Sequence, residues 1–111
     1  MSKKDRTYKL TVTIQNDKPT LDLDKIKTSK IPQWGFAPGD KLQFYFKPEN
    51  TSCTIFYPNQ IVALFKEELP RPLSNKSELT FADLPDGTIG SFILKSLQWL
   101  HDPECTVSSG Y

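Results

Sequence analysis

The chain has 111 residues, room for one domain, and its 37% hydrophobic and 12% aromatic content suffices for a single core of ordinary size. With 14 basic and 13 acidic residues the net charge is +1, which argues against electrostatic binding of nucleic acid or an anionic membrane surface. No apolar run approaches the ~18 residues of a membrane span, and Met1-Ser-Lys-Lys-Asp-Arg6 leads into a polar-alternating stretch instead of an apolar signal segment, so the expectation is a cytoplasmic protein.

Residues 1–6 read as a frayed, solvated terminus, because the basic cluster Lys3, Lys4 and Arg6 is short and interrupted by Asp5. Tyr8, Leu10, Val12 and Ile14 then alternate with Lys9, Thr11, Thr13 and Gln15, the period-2 signature of a half-buried strand. Asn16-Asp17-Lys18-Pro19 breaks that strand, and Leu21 with Leu23 suits a brief edge pairing. The stretch from Lys25 to Lys30 is polar enough for a connection or a weak strand.

The densest pattern follows. Leu42, Phe44 and Phe46 point one way and Lys41, Gln43, Tyr45 and Lys47 the other, after a Pro38-Gly39-Asp40 turn. Pro48-Glu49-Asn50 turns the chain again toward Cys53-Thr-Ile-Phe-Tyr57, and a hairpin between these two runs is the simplest connection. This row of large side chains, set beside Leu10 and Val12, is the expected centre of the core.

Residues 60–69 have apolar positions at Ile61, Val62, Phe65 and Leu69 that suit either a strand or one or two helical turns. Pro70-Arg71-Pro72 ends them by removing donors and extending the backbone. Ser77 to Phe81 reads as a strand with Leu79 and Phe81 inward, followed by a Pro85-Asp86-Gly87 turn. In Thr88 to Leu100, Ile89, Phe92, Ile93, Leu97 and Leu100 fit a helical stripe, whereas the β-branched and aromatic content fits a long strand that changes phase through a bulge; the neighbouring β context favours the strand. Cys105 to Val107 is the closing strand. Prolines at 19, 32, 38, 48, 58, 70, 85 and 103 punctuate the chain about every ten residues, the spacing of an all-β sandwich or barrel with little room for βαβ units.

In order, Tyr8-Lys-Leu-Thr-Val-Thr-Ile14, the Trp34 to Phe46 segment with Gly39-Asp40-Lys41-Leu42, Cys53-Thr-Ile-Phe56 and Asp102-Pro-Glu-Cys-Thr-Val107 resemble a loose group of small bacterial proteins. That resemblance implies an immunoglobulin- or cupredoxin-like sandwich without copper, association of some members with cytoplasmic inclusion bodies, and no catalytic residues to carry over. The expected fold is therefore a single antiparallel β-sandwich domain over residues 1–111, with room for one short helix near 60–69.

The reactive chemistries are thinly provided. Blue copper needs two imidazoles and a thiolate, yet the chain has one His, and its single Met is the first residue. Cys53, His101 and Cys105, completed by Asp102 or Glu104, offer only one of the paired knuckles that structural zinc ordinarily uses. A Cys53–Cys105 disulfide would suit a sandwich but needs an oxidising compartment, so the thiols are expected to be reduced, small and buried. There is no Gly-x-Ser-x-Gly elbow to partner His101 and no glycine-rich phosphate cradle. The pairs Asp22/Asp24, Glu67/Glu68 and Asp83/Asp86 read as surface charges, and Asn50-Thr51-Ser52 and Asn75-Lys76-Ser77 as chance glycosylation matches.

The expectation is thus a non-enzymatic protein with no metal and no cofactor. It would act through protein contacts, chiefly as a homo-oligomer joined by an edge strand or an aromatic patch, with no nucleic-acid or membrane partner. The candidate contact residues are Trp34, Tyr45, Tyr57, Arg71 and Trp99. Those aromatics also allow an alternative, a carbohydrate-binding module that stacks a sugar on Trp34, Tyr57 or Trp99, although for Trp34 and Trp99 the favoured reading is that they close the two ends of the core.

Overall fold

The computed structural model describes residues 6–23, 33–58, 62–96, 100–101 and 104–107. Those residues form an all-β fold of eleven strands, and no helix is found among them. Strand β1 (Thr7–Gln15) turns through Asn16 and Asp17, both at positive φ, into β2 (Lys18–Leu23). The two-residue loop with φ > 0 at both positions matches the twist of the flanking strands, and it locks the register with Gln15 opposite Lys18 and Val12 opposite Leu21. The brief edge pairing expected at Leu21 and Leu23 is a strand of six residues.

Strand β4 (Lys41–Lys47) carries the expected alternation, with Leu42, Phe44 and Phe46 buried and Lys41, Gln43 and Tyr45 partly exposed. It runs parallel to β1, with Tyr8 beside Leu42, Leu10 beside Phe44 and Val12 beside Phe46, so the seam forms between the residues expected. Its other edge pairs antiparallel with β7 (Glu78–Thr80), giving a sheet in the order β2-β1-β4-β7.

The expected hairpin does not form. Both hydrogen-bonding edges of β4 are occupied, by β1 and by β7, so β5 (Cys53–Phe56) has no place beside it. The chain crosses instead, through the Pro48 to Thr51 turn, to the opposite layer. There β5 lies between β6 (Arg71–Leu73) and β9 (Ile93–Lys95), and β9 also carries β10 (Leu100–His101). A three-stranded sheet of β3 (Gln33–Phe36), β11 (Glu104–Val107) and β8 (Thr88–Ser91) completes the second layer, with β3 parallel to β11. The sandwich is therefore mixed, with two parallel pairs, where uniformly antiparallel pairing was expected. The strand foreseen at Cys105–Val107 is central in its sheet.

Residues 88–95 are extended, as the β context suggested, but without the expected phase change. Phe92 and Leu94 are fully buried, Ile89 and Lys95 are exposed and Ile93 is partly so, one unbroken alternation across the interruption at Phe92. The apparent helical stripe arose because Ile89 and Ile93 are apolar residues on the outer face. Residues 62–69 hold no helix; Phe65 makes a bridge to Phe81 and the segment lies along the free edge of β7.

Rings from both layers fill the interior. Phe36 stacks on Phe81 at 4.1 Å and meets Tyr8 edge-on at 5.5 Å, while Phe92 meets Phe44 and Phe65 at 6.5 and 5.6 Å. Each such side chain removed from water contributes roughly 1.5–3 kcal/mol, and edge-to-face or offset pairing adds to it. Gly90 is fitted beneath Leu64: a Cβ there would lie 2.9 Å from the Leu64 Cδ2 and 3.2 Å from the Val62 Cγ1.

One charged group is drawn inside. Asp40, only 1% exposed, accepts from the Ala37 N–H at 2.9 Å, from the Arg6 Nη2 at 3.1 Å and more weakly from the Arg6 N–H and Nε. It closes the Ala37-Pro38-Gly39-Asp40 turn, where Gly39 takes φ 88°, and ties the start of β1 to the start of β4. Arg6, expected with the frayed terminus, is held there. Asn75 and Glu67 are likewise structural: Asn75 accepts the Phe46 N–H at 3.0 Å and Glu67 the Thr80 N–H at 2.8 Å, so neither is a simple surface group.

Candidate functional site

The alternation of β5 and β9 sends Cys53, Ile55 and Leu94 inward and leaves Thr54, Phe56, Ile93 and Lys95 on the outer face of the second layer. Cross-strand register places Phe56 beside Ile93, Thr54 between Lys95 and Pro72, and Leu100 beside Lys95. Leu100 and Ile89 are each 53% exposed, the two large apolar side chains most open to solvent among the described residues. Phe56, Ile93 and Leu100 therefore lie on the outside of a sheet whose inside is already sealed, and Ile89 faces outward from β8 in the three-stranded sheet. A mainly apolar groove borders this face: Ser52, Thr54, Phe56, Pro72, Lys95 and Ser96 line a shallow depression of 620 Å³.

Of the five side chains singled out from the sequence, the three that are described, Tyr45, Tyr57 and Arg71, do not share one surface. Tyr45 is on the outer face of the first sheet, its hydroxyl donating to the Gln43 Oε1 at 3.0 Å and its ring covered by the Lys9 ammonium 4.5 Å from the centroid. Tyr57 is half-buried against the core, and its hydroxyl accepts the Phe65 N–H at 3.0 Å, pinning the 62–69 segment. Burial pushes the Tyr57 hydroxyl above its ordinary range, against the two backbone hydrogen bonds that lower it.

Arg71 pairs with Ile55 and so lies on the inward-facing side of β6, at the open edge of the sandwich, where it lines a cleft with Ser77 and Glu78. It is half-buried on a strand. Trp34 is on β3 opposite Cys105, but its side chain, like the whole of Trp99, lies outside the described residues. Phe56, Ile93 and Leu100, which share this outer face, were not among the residues singled out from the sequence. Ile93 was absorbed into a helical stripe, although strict alternation with Leu94 and Lys95 marks it as outward.

Cys53 and Cys105 are both buried and not joined in a disulfide. Burial pushes the Cys53 thiol up to about 12, which leaves it protonated and a poor nucleophile even though it borders the groove. Among the described residues no group of three His, Cys, Asp or Glu side chains is placed to hold a metal ion, and no helix is long and apolar enough to cross a membrane. Comparison with protein-family models and with curated proteins finds no match for this chain.

Proposed function

We propose that this chain is a non-enzymatic β-sandwich that works by protein contact, chiefly self-association, with the outer face of β5, β9 and β10 as the joining surface. The observation that carries this reading is the outward set of Ile93, Phe56 and Leu100 on a sheet whose core side is complete, with Ile89 also exposed on the outer face of β8. Apolar side chains gathered on one face mark contact surfaces more often than scattered ones do, and a near-neutral net charge offers little repulsion between copies. The resemblance to small bacterial sandwich proteins, some associated with inclusion bodies, points the same way. We place the protein in the cytoplasm, where its cysteines, buried and outside any disulfide, would stay reduced. A sugar-binding role is less well supported, since Tyr57 has its hydroxyl engaged and Tyr45 lies on the other layer with its ring capped by Lys9.

Light scattering over a concentration series tests the proposal. The protein should associate, and Ile93→Asp or Leu100→Asp should weaken association by about tenfold or more while leaving the fold intact, because both side chains face outward. A parent protein that stays monomeric at millimolar concentration would end this reading.

A further inference from the structure

The sandwich protects its sheet edges unequally. The outer edge of β7 is covered by residues 64–67, through Lys66 N–H to the Thr80 carbonyl, Ala82 N–H to the Leu64 carbonyl and Glu67 to the Thr80 N–H. The edge of β6 is flanked by Pro70 and occupied by Pro72, which carries no donor. Strand β2 has six residues and pairs only with β1 among the described residues.

Its hydrogen-bonding pattern follows from the hairpin. In a two-residue hairpin the flanking pair, Gln15 and Lys18, exchanges main-chain bonds, and alternation makes Thr13 with Thr20 and Thr11 with Asp22 the next bonded pairs. Pro19, Leu21 and Leu23 therefore turn their main-chain groups away from β1. Proline costs nothing at such a position, so the free edge offers the N–H groups of Leu21 and Leu23 and the carbonyls of all three.

We propose that β2 pairs antiparallel with β2 of a second copy of this chain, about a twofold axis at Leu21. It rests on the self-association reading and adds a second contact to it. In this register each Leu21 N–H meets the other copy's Leu21 carbonyl, and each Leu23 N–H meets the other's Pro19 carbonyl, so the missing proline donors fall at the ends of the ladder. Thr20 stands opposite the second copy's Asp22 and can donate its hydroxyl to that carboxylate, while Lys18 is its diagonal neighbour and brings the opposite charge. The alternatives two residues away are poorer. One sets Asp22 against Asp22, and the other places Pro19 opposite Leu21 and leaves the Leu21 carbonyl without a donor. On the inner side Leu21, Leu23 and Ile14, all half-buried at this margin of the core, would be covered further.

Sedimentation equilibrium of the full chain from micromolar to millimolar concentration, with amide exchange at the same concentrations, tests the contact. Leu21→Pro removes the central outward N–H without touching a bond to β1 and should weaken the edge dimer at least tenfold. Lys18→Asp should weaken it as well, and Lys18→Asp with Asp22→Lys should restore it, a rescue that general loss of stability would not produce. The Leu21 and Leu23 amides should gain protection with concentration. If Leu21→Pro and Lys18→Asp leave association unchanged while Ile93→Asp abolishes it, the edge contact is overturned and the outer-face reading stands. A parent protein monomeric throughout overturns both.

Discussion

Replacing Asp40 by Ala tests how the first sheet is held together. The carboxylate is 1% exposed and serves two kinds of donor, the Ala37 main-chain N–H at 2.9 Å and the Arg6 guanidinium at 3.1 Å. Removing it leaves a buried N–H unsatisfied, at a cost of about 1–3 kcal/mol. The ion pair adds less, about 1 kcal/mol at most, because the Arg6 side chain is 41% exposed and water screens it. The Arg6 N–H and Nε bonds, at 3.3 and 3.4 Å, are long and contribute little. The expected loss is therefore about 1–4 kcal/mol, a large fraction of the ~5–15 kcal/mol that stabilises a domain. With a urea slope of about 1.5 kcal/mol per M, the unfolding midpoint should fall by roughly 0.7–2.7 M with the slope unchanged. Asp40→Asn keeps one acceptor for the Ala37 N–H and loses only the charge, so it should cost about half as much. Equilibrium unfolding followed by tryptophan fluorescence measures both. An Asp40→Ala protein within about 0.5 kcal/mol of the parent would refute the clamp, since that is the ordinary scatter of surface substitutions.

Three further outcomes are expected. Gly90→Ala drives a Cβ to 2.9 Å from the Leu64 Cδ2 in a sealed core, so thermal unfolding should show a loss of about 1–3 kcal/mol, and an unchanged midpoint would mean that Leu64 moves aside freely. Cys53 should resist a thiol reagent at pH 8 until the protein unfolds, because its thiol is pushed up to about 12; rapid labelling of the native protein would contradict its burial. Stability should also decline in alkali. The folded-state values of Cys53, Tyr8 and Tyr57 are all raised by burial, so the unfolded chain loses these protons first, near 9.0 for the thiol and 10.0 for the phenols. The stabilisation is complete below about pH 9 and is lost as pH climbs toward 12. A denaturant midpoint that stays flat or rises over that range contradicts the assignment.

The two proposed association surfaces can be tested separately, since Ile93 and Leu21 lie in different sheets. Substitutions at the first should act on the outer-face contact and at the second on the edge contact, and additivity of the two would indicate independent interfaces.

Local alternation was enough to locate most of this fold. The rows Tyr8-Leu10-Val12 and Leu42-Phe44-Phe46 are buried as their period-2 spacing requires, and Leu79 and Phe81 point inward for the same reason. Turn chemistry was equally legible: Pro38-Gly39 and Pro85-Asp86-Gly87 turn where proline and glycine permit, with Gly39 and Gly87 at positive φ.

Pairing was not legible, because alternation states which side of a strand is greasy and says nothing about which strand lies at its edge. A hairpin from 41–47 to 53–56 is the shortest connection, yet β4 has both edges filled by strands distant in the chain, and two parallel pairs result. The candidate surface escaped for a related reason. Ile89 and Ile93 are apolar, which a sequence reading assigns to the core; only the register of β9 against β5 turns Ile93 outward beside Phe56, and Ile89 faces out from β8, which pairs with β11. Asp40 reads as an ordinary turn residue until Arg6, 34 positions away, is folded against it. Periodicity and turn chemistry act between near neighbours and are written in the chain itself. Edge occupancy, burial of a lone charge and the facing of an apolar row depend on distant segments that only the folded sandwich brings together.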